Sequence, residues 1–103
     1  MRTDELFVGI DSGTQGTKVV VFSRERSRIL CEGTASHPLI ENSRGGREQD
    51  PEDWFQALDA AITTAIDNPV VHRAMIRGIA VSGQQHGFVP LDRDGCVIRP
   101  AKL

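Results

Sequence analysis

The sequence predicts an α/β domain whose elements follow in β-β-β-α-β order and share a mixed sheet. Three observations carry this. Two short β-branched runs, Leu6 to Ile10 and Lys18 to Ser23, flank a glycine-containing loop and read as a hairpin. A capped amphipathic stretch follows Asp50. A further apolar run, Met75 to Ser82, is entered from that helix and is expected to lie parallel to the first strand. With 103 residues the chain suits one small domain, burying roughly 60–70% of its unfolded surface.

Taken in order, Arg28 to Ser36 carries Ile29, Leu30, Cys31 and Ala35 in an extended pattern and is expected to return beside the second strand. His37 to Gln49, with Pro38, Gly45 and Gly46, reads as a surface loop. Asp50 is a suitable N-cap, Pro51 fits the first helical position, and Glu52 and Asp53 place negative charge at the positive end of the helix dipole. Trp54, Leu58, Ile62 and Ile66, with Phe55, Ala61 and Ala65 beside them, form an apolar stripe expected to be core. Asn68-Pro69 should stop the helix. After the fourth strand, Phe88 to Leu91 and Cys96 to Ile98 flank Asp92-Arg93-Asp94-Gly95, a hairpin signal.

Composition narrows the function. Apolar residues make up 39%, the formal net charge is −2, and one Trp, four Phe and no Tyr leave few rings for stacking on bases, so a nucleic-acid partner is not expected. Runs such as Val19-Val20-Val21-Phe22 fall far short of the roughly 20 apolar residues that span a bilayer, and Met1 to Glu5 has no apolar signal region. No membrane partner and a cytoplasmic location are expected. Cys31 and Cys96 have no neighbour at metal-ligand spacing and are expected to be reduced thiols.

The chemistry concentrates in the first loop. Asp11 ends a buried strand and is followed by Ser12-Gly13-Thr14-Gln15-Gly16-Thr17-Lys18, a set suited to a metal-bound polyphosphate. The glycines allow a tight turn and close backbone approach, and the N–H groups can form an anion-binding concavity. Thr14 and Thr17 can donate to phosphate oxygens, Lys18 offsets charge, and Asp11 would face Mg2+ directly or through water. The commoner phosphate motifs do not fit. Gly16 is followed by Thr17 where a P-loop needs Lys, and the loop leads into a strand rather than a helix. Gly9, Gly13 and Gly16 have the wrong intervals for a dinucleotide fingerprint.

Val8-Gly9-Ile10-Asp11-Ser12-Gly13-Thr14-Gln15-Gly16-Thr17-Lys18 resembles the first phosphate loop of the actin-like ATPases of ribonuclease H-like fold, and in detail that of the FGGY family of carbohydrate kinases. Glu48-Gln49-Asp50-Pro51-Glu52-Asp53-Trp54 is similar to the E-Q-[DN]-P-x-x-W that opens the first helix in the xylulokinase branch. Ile79 to Gly87 resembles that branch's G-I-x-x-[AS]-G-Q-M-H-G, and Arg99 to Leu103 its R-P-A-I-L. The resemblance implies ATP-dependent phosphoryl transfer to a hydroxyl of a ketopentose such as D-xylulose, with ATP and Mg2+ required and the sugar and ATP as small-molecule partners. It implies that Asp11, Thr14, Gln15, Thr17 and Lys18 face the phosphates and the metal, and that Gln85 and His86 contact the sugar. Gln85 stands where the family more often has Met, which leaves the sugar open. Other pentulose or polyol kinases are alternatives.

The resemblance also implies that residues 1–103 are the N-terminal part of the first kinase domain. The general base and adenine pocket are expected beyond Leu103, and a homodimeric parent is expected. The chain alone is expected to be inactive, with an exposed sheet edge and a tendency to self-associate. Glu48 and Asp50 are not read as an acid and base pair, because capping accounts for Asp50. His37 and His72 are expected at the surface. A resolvase-like nuclease of the same fold, and a non-enzymatic nucleotide-binding module, are the remaining alternatives.

Overall fold

The computed structural model describes residues 4–41, 44–84 and 87–103. Strand β1 (Leu6–Ser12) turns into β2 (Gly16–Ser23), which turns into β3 (Arg28–Ser36). Two short strands, β4 (Ile40–Glu41) and β5 (Arg47–Gln49), lead to α1 (Pro51–Ile66). A 3-10 turn at Arg73–Met75 then leads to β6 (Ile76–Gly83), and β7 (Ala101–Lys102) comes last. The main sheet has the order β3-β2-β1-β6. β1 is antiparallel to β2 and parallel to β6, which is the expected mixed sheet.

The hairpin is longer than its apolar runs suggest. Pairing continues through Asp11↔Lys18 to Ser12↔Thr17, so the expected loop shrinks to Gly13-Thr14-Gln15. The Gly13 N–H donates to the Gly16 carbonyl at 2.9 Å and closes it. Gly16 is required by space, since a Cβ there would lie 2.6 Å from the Ala35 carbonyl oxygen of β3.

The core lies between the sheet and α1, where Leu6, Val8, Ile10, Val19 and Val21 meet Ala61, Ala65 and Val71. The Asp50 carboxylate caps the helix by accepting from the Glu52 N–H at 3.0 Å, and Pro51 occupies its first turn. At the other end the Asp67 N–H reaches the Thr63 carbonyl. The most buried line of the helix is Ala57, Ala61 and Ala65, of which Ala61 and Ala65 belong to the expected stripe. Leu58, Ile62 and Ile66 of that stripe pack partly buried at the margin of the core. The reason is proximity. A Cβ at Gly33 of β3 would lie 2.1 Å from the Ala61 carbonyl oxygen, so only methyl groups fit beneath the helix.

The expected surface loop over His37 to Gln49 is instead a small second sheet. β5 pairs with β4 on one side and with β7 on the other, and Ala101 is fully buried there. The apolar and charged alternation in such short strands is too brief to be read as periodicity. His37, expected at the surface, is 7% exposed, because its N–H is bonded to the Gln15 carbonyl and its ring turns inward toward Gln49. His72 is exposed as expected. The expected hairpin near Asp92 is reduced to one bridge, Leu91↔Val97, around an Asp92 carboxylate that accepts from the N–H groups of Asp94 and Cys96.

α1 packs on β2 and β3 and stops short of β6. On the helix side of β6, Ile79 is 61% and Val81 69% exposed. Among the described residues β6 pairs only with β1, so its outer edge is open. No helix among the described residues is long and apolar enough to cross a membrane.

Candidate functional site

The hairpin geometry sorts the loop's side chains by strand alternation. Leu6, Val8 and Ile10 of β1 face the helix, so Asp11 lies with Phe7 on the other, open face. Its cross-strand neighbour Lys18 shares that face. Thr17 points the opposite way, is 2% exposed, and has a buried hydroxyl with no protein partner. Asp11 and Lys18 are therefore brought together, while Thr17 is parted from Lys18 by the plane of the sheet. Thr17 and Lys18 alternate across the strand, and both border the cavity beside the turn.

Thr14 and Gln15 form the exposed tip of the turn. Beside it a cavity of about 330 Å³ is lined by Asp11, Gln15, Gly16, Thr17 and Lys18, with Thr34, Ala35 and Ser36 of β3 as its far wall. The Lys18 ammonium lies 3.4 Å from the Glu32 carboxylate across β2 and β3. Gln85 and His86 lie outside the described residues.

Behind the turn stands a residue that the sequence did not single out for chemistry. Gln49 is 0% exposed and joins four segments. The Trp54 indole N–H donates to its Oε1 at 2.8 Å, and Gln84 Nε2 donates to the same oxygen at 2.9 Å. Its own Nε2 donates to the Thr14 carbonyl and lies 3.4 Å from His37 Nδ1. An indole can only donate and a carbonyl can only accept, so the orientation of this amide is fixed. It follows that Gln84 turns its Oε1 outward, where it accepts from the Thr14 hydroxyl at 3.2 Å. His37 Nδ1 must accept from Gln49, which puts the neutral ring's proton on Nε2, a buried atom without a partner. The signal was present in the sequence as the spacing of Gln49 and Trp54, whose function only the folded geometry discloses.

A second cavity of about 250 Å³, lined by Ser12, Trp54, Gly83, Gln84, Gly87, Val89 and Leu103, opens beside this network. Glu48 is engaged by Arg99 at 3.0 Å, and Asp50 by the helix cap, so neither is offered to a substrate.

The donor set can be tested against a metal. Among the described residues no group of three or more His, Cys, Asp or Glu side chains could hold an ion. A resident all-protein site does not fit. Asp11, an exposed carboxylate at a strand end beside the loop, fits Mg2+ that keeps most of its waters and arrives on phosphate oxygens.

Comparison with known proteins identifies the family. The FGGY family of carbohydrate kinases, N-terminal domain, matches residues 6–103. The xylulose kinase of Haemophilus influenzae is 40% identical over 102 residues, covering 95% of this chain and 21% of that protein. A xylulose kinase sequence from an Arthrobacter species is 44% identical over 100 residues, covering 95% of this chain and 91% of its own length. In structure, the "xyloylose kinase" of Brucella ovis superposes with a TM-score of 0.88 at 30% identity, over 96% of this chain and 21% of that one. The xylulose kinase of Bifidobacterium adolescentis gives 0.77 at 36% identity, over 99% and 18%. The chain thus spans about a fifth of the Haemophilus and Brucella proteins and most of the Arthrobacter sequence. With its mixed α/β sheet of actin-like type, the chain belongs to the FGGY family of carbohydrate kinases.

Proposed function

We propose that residues 1–103 form the phosphate-handling N-terminal part of an ATP-dependent sugar kinase that transfers the γ-phosphoryl group to a hydroxyl of a ketopentose such as D-xylulose. The observation that carries this is the pairing of Asp11 with Lys18 on the open face, at the mouth of the cavity formed by the β1–β2 turn. A polyphosphate there would meet a carboxylate suited to its Mg2+, an ammonium and the polar turn side chains. The names of the relatives support the sugar.

In this reading Asp11 orients Mg2+, which neutralises charge on the phosphates when bound. Lys18 offsets negative charge on the phosphate oxygens, and Thr14 and Gln15 donate from the turn. Thr17, which lines the same cavity and has a buried hydroxyl without a protein partner, is assigned to the phosphates with them. Gln85 and His86, which follow β6, are assigned to the acceptor sugar on the strength of the resemblance. The base that takes the hydroxyl proton and the adenine pocket are assigned to residues beyond Leu103, and the 103 residues alone to an inactive state.

The test is phosphoryl transfer from MgATP to D-xylulose by the complete enzyme that carries this segment, read by coupled ADP release. Asp11→Asn should lower kcat by at least about a hundredfold, the scale typical of losing one group that stabilises transition-state charge. Absence of transfer to every ketopentose and polyol in a panel, or an unchanged rate in the variant, would overturn the assignment. Transfer by the isolated 103 residues, lost in Asp11→Asn, would overturn their inactivity.

A further inference from the structure

β1 and β6 run parallel and end together, with Ser12 paired to Gly83. Beyond that pair one chain segment leaves toward Thr14 and the other toward Gln84, and the sheet no longer fixes the distance between them. A side chain from a third element does. Gln49 Nε2 donates to the Thr14 carbonyl, and Gln49 Oε1 accepts from Gln84 Nε2 at 2.9 Å, so the two ends of one amide span the gap. The amide cannot reverse, because the Trp54 indole donates to the same oxygen and His37 Nδ1 faces the nitrogen. Nor is its root free to shift. Gln49 pairs with Ala101 and Glu48 with Lys102 in the second sheet, Arg99 holds Glu48, and Gln49 and Ala101 are both 0% exposed. A buried amide with both polar ends engaged acts as a rigid spacer.

We propose that Gln49 is a positioning residue for phosphoryl transfer: it sets the separation between the β1–β2 turn, which meets the phosphoryl donor, and the segment after β6, which meets the acceptor hydroxyl. This rests on the kinase reading above and adds to it a residue that, being wholly buried, touches neither substrate. It also gives the second sheet a task, which is to hold that residue still. Reacting atoms must approach to about 3–3.5 Å, and a misplacement of about 1 Å can cost about a hundredfold in rate. Each substrate is held by its own segment, so a change in their spacing falls on kcat and leaves each KM in place.

The experiment is steady-state kinetics of the complete enzyme with MgATP and D-xylulose, with circular dichroism through urea to establish that each variant is folded. Gln49→Asn keeps the amide but is one methylene too short to reach both Thr14 and Gln84. Its kcat should fall at least about tenfold, with both KM values within about twofold of wild type. Gln84→Met cuts the bridge at its less buried end, leaves Gln49 on Trp54 and Thr14, and should lower kcat in the same way. The double variant should fall no further than the lower single, because both remove one link. Val71→Ala, which loses core packing away from the network, shows what lost stability alone does and should keep kcat within about threefold. A kcat within about threefold of wild type in Gln84→Met or in folded Gln49→Asn, a rise in KM at constant kcat, or an equal loss in Val71→Ala overturns the positioning role and leaves the kinase reading intact. If Gln49→Asn does not fold, Gln84→Met decides by the same criteria. A wild type that phosphorylates no sugar overturns the kinase reading, and the positioning role with it.

Discussion

Trp54 donates its indole N–H to the side-chain oxygen of Gln49 at 2.8 Å, across the first turn of α1. The bond ties the helix start to a wholly buried amide that also holds the Thr14 carbonyl of the β1–β2 turn. Gln49→Leu keeps the volume but leaves several polar groups facing an apolar side chain. A loss of about 1–3 kcal/mol in unfolding free energy is expected, the usual cost of stranding a buried donor or acceptor. Urea unfolding followed by Trp54 emission measures it, with the exposed Gln56→Leu as a control that should change stability by less than about 0.5 kcal/mol.

Gly33 and Gly83 should respond oppositely to the same substitution. A methyl at Gly33 would meet helix backbone at 2.1 Å, whereas one at Gly83 meets nothing within 4 Å. Gly33→Ala is expected to destabilise by about 1–3 kcal/mol through overpacking, and Gly83→Ala to be tolerated. Thermal unfolding of both variants checks this.

Glu32 competes with any anion for Lys18, from 3.4 Å away. Glu32→Gln should therefore tighten binding of inorganic tripolyphosphate or MgATP by a few-fold at low ionic strength, and the gain should shrink as salt screens the exposed charges. Lys18→Met should weaken the same binding. Titration calorimetry at two salt concentrations reads both.

The two thiols should separate by pH. Burial pushes the Cys31 thiol above its ordinary value of 9.0, and its Sγ lies 3.1 Å from the Ala65 carbonyl, while Cys96 is exposed. Iodoacetamide at pH 8 should label Cys96 first, as mass spectrometry after brief exposure would show. A raised folded value means that the native state retains its proton longer than the unfolded chain. Its stabilising effect is thus present below pH 9.0 and is lost as pH rises through the folded value. Cys31→Ala should flatten that alkaline loss.

The open edge of β6, with Ile79 and Val81 uncovered on the helix side, predicts that the isolated 103 residues self-associate. Sedimentation should show concentration dependence, and Ile79→Lys with Val81→Lys should reduce it.

The strand order, the parallel pairing of β1 with β6 and the Asp50 cap were legible because each rests on local chemistry: β-branched runs, a helix crossover, and a carboxylate before Pro51. The apolar stripe of the helix was legible as a face, but not which of its residues would be buried deepest: close approach to Gly33 favours Ala61 and Ala65, with Ala57, over the larger Leu58, Ile62 and Ile66. The extension of pairing to Ser12 and Thr17, which makes Thr17 and Lys18 alternate across a strand while both border one cavity, was not legible, because the apolar runs end short of it. Gln49 and the inward turn of His37 were hidden for a different reason. Their partners, Thr14, Gln84 and Gln15, are distant in sequence, and no local pattern records which polar side chains will meet.

The contact of α1 with Gly33 has a mechanical consequence. A helix resting on main chain has no side-chain cushion to compress, so it cannot slide or tilt without dragging β3. Because Ala35 of β3 lies against Gly16, and Gln49 at the head of α1 grips Thr14, both walls of the β1–β2 turn travel as one stiff plate. Parting the turn from the helix would require breaking the Gln49 bond to Thr14.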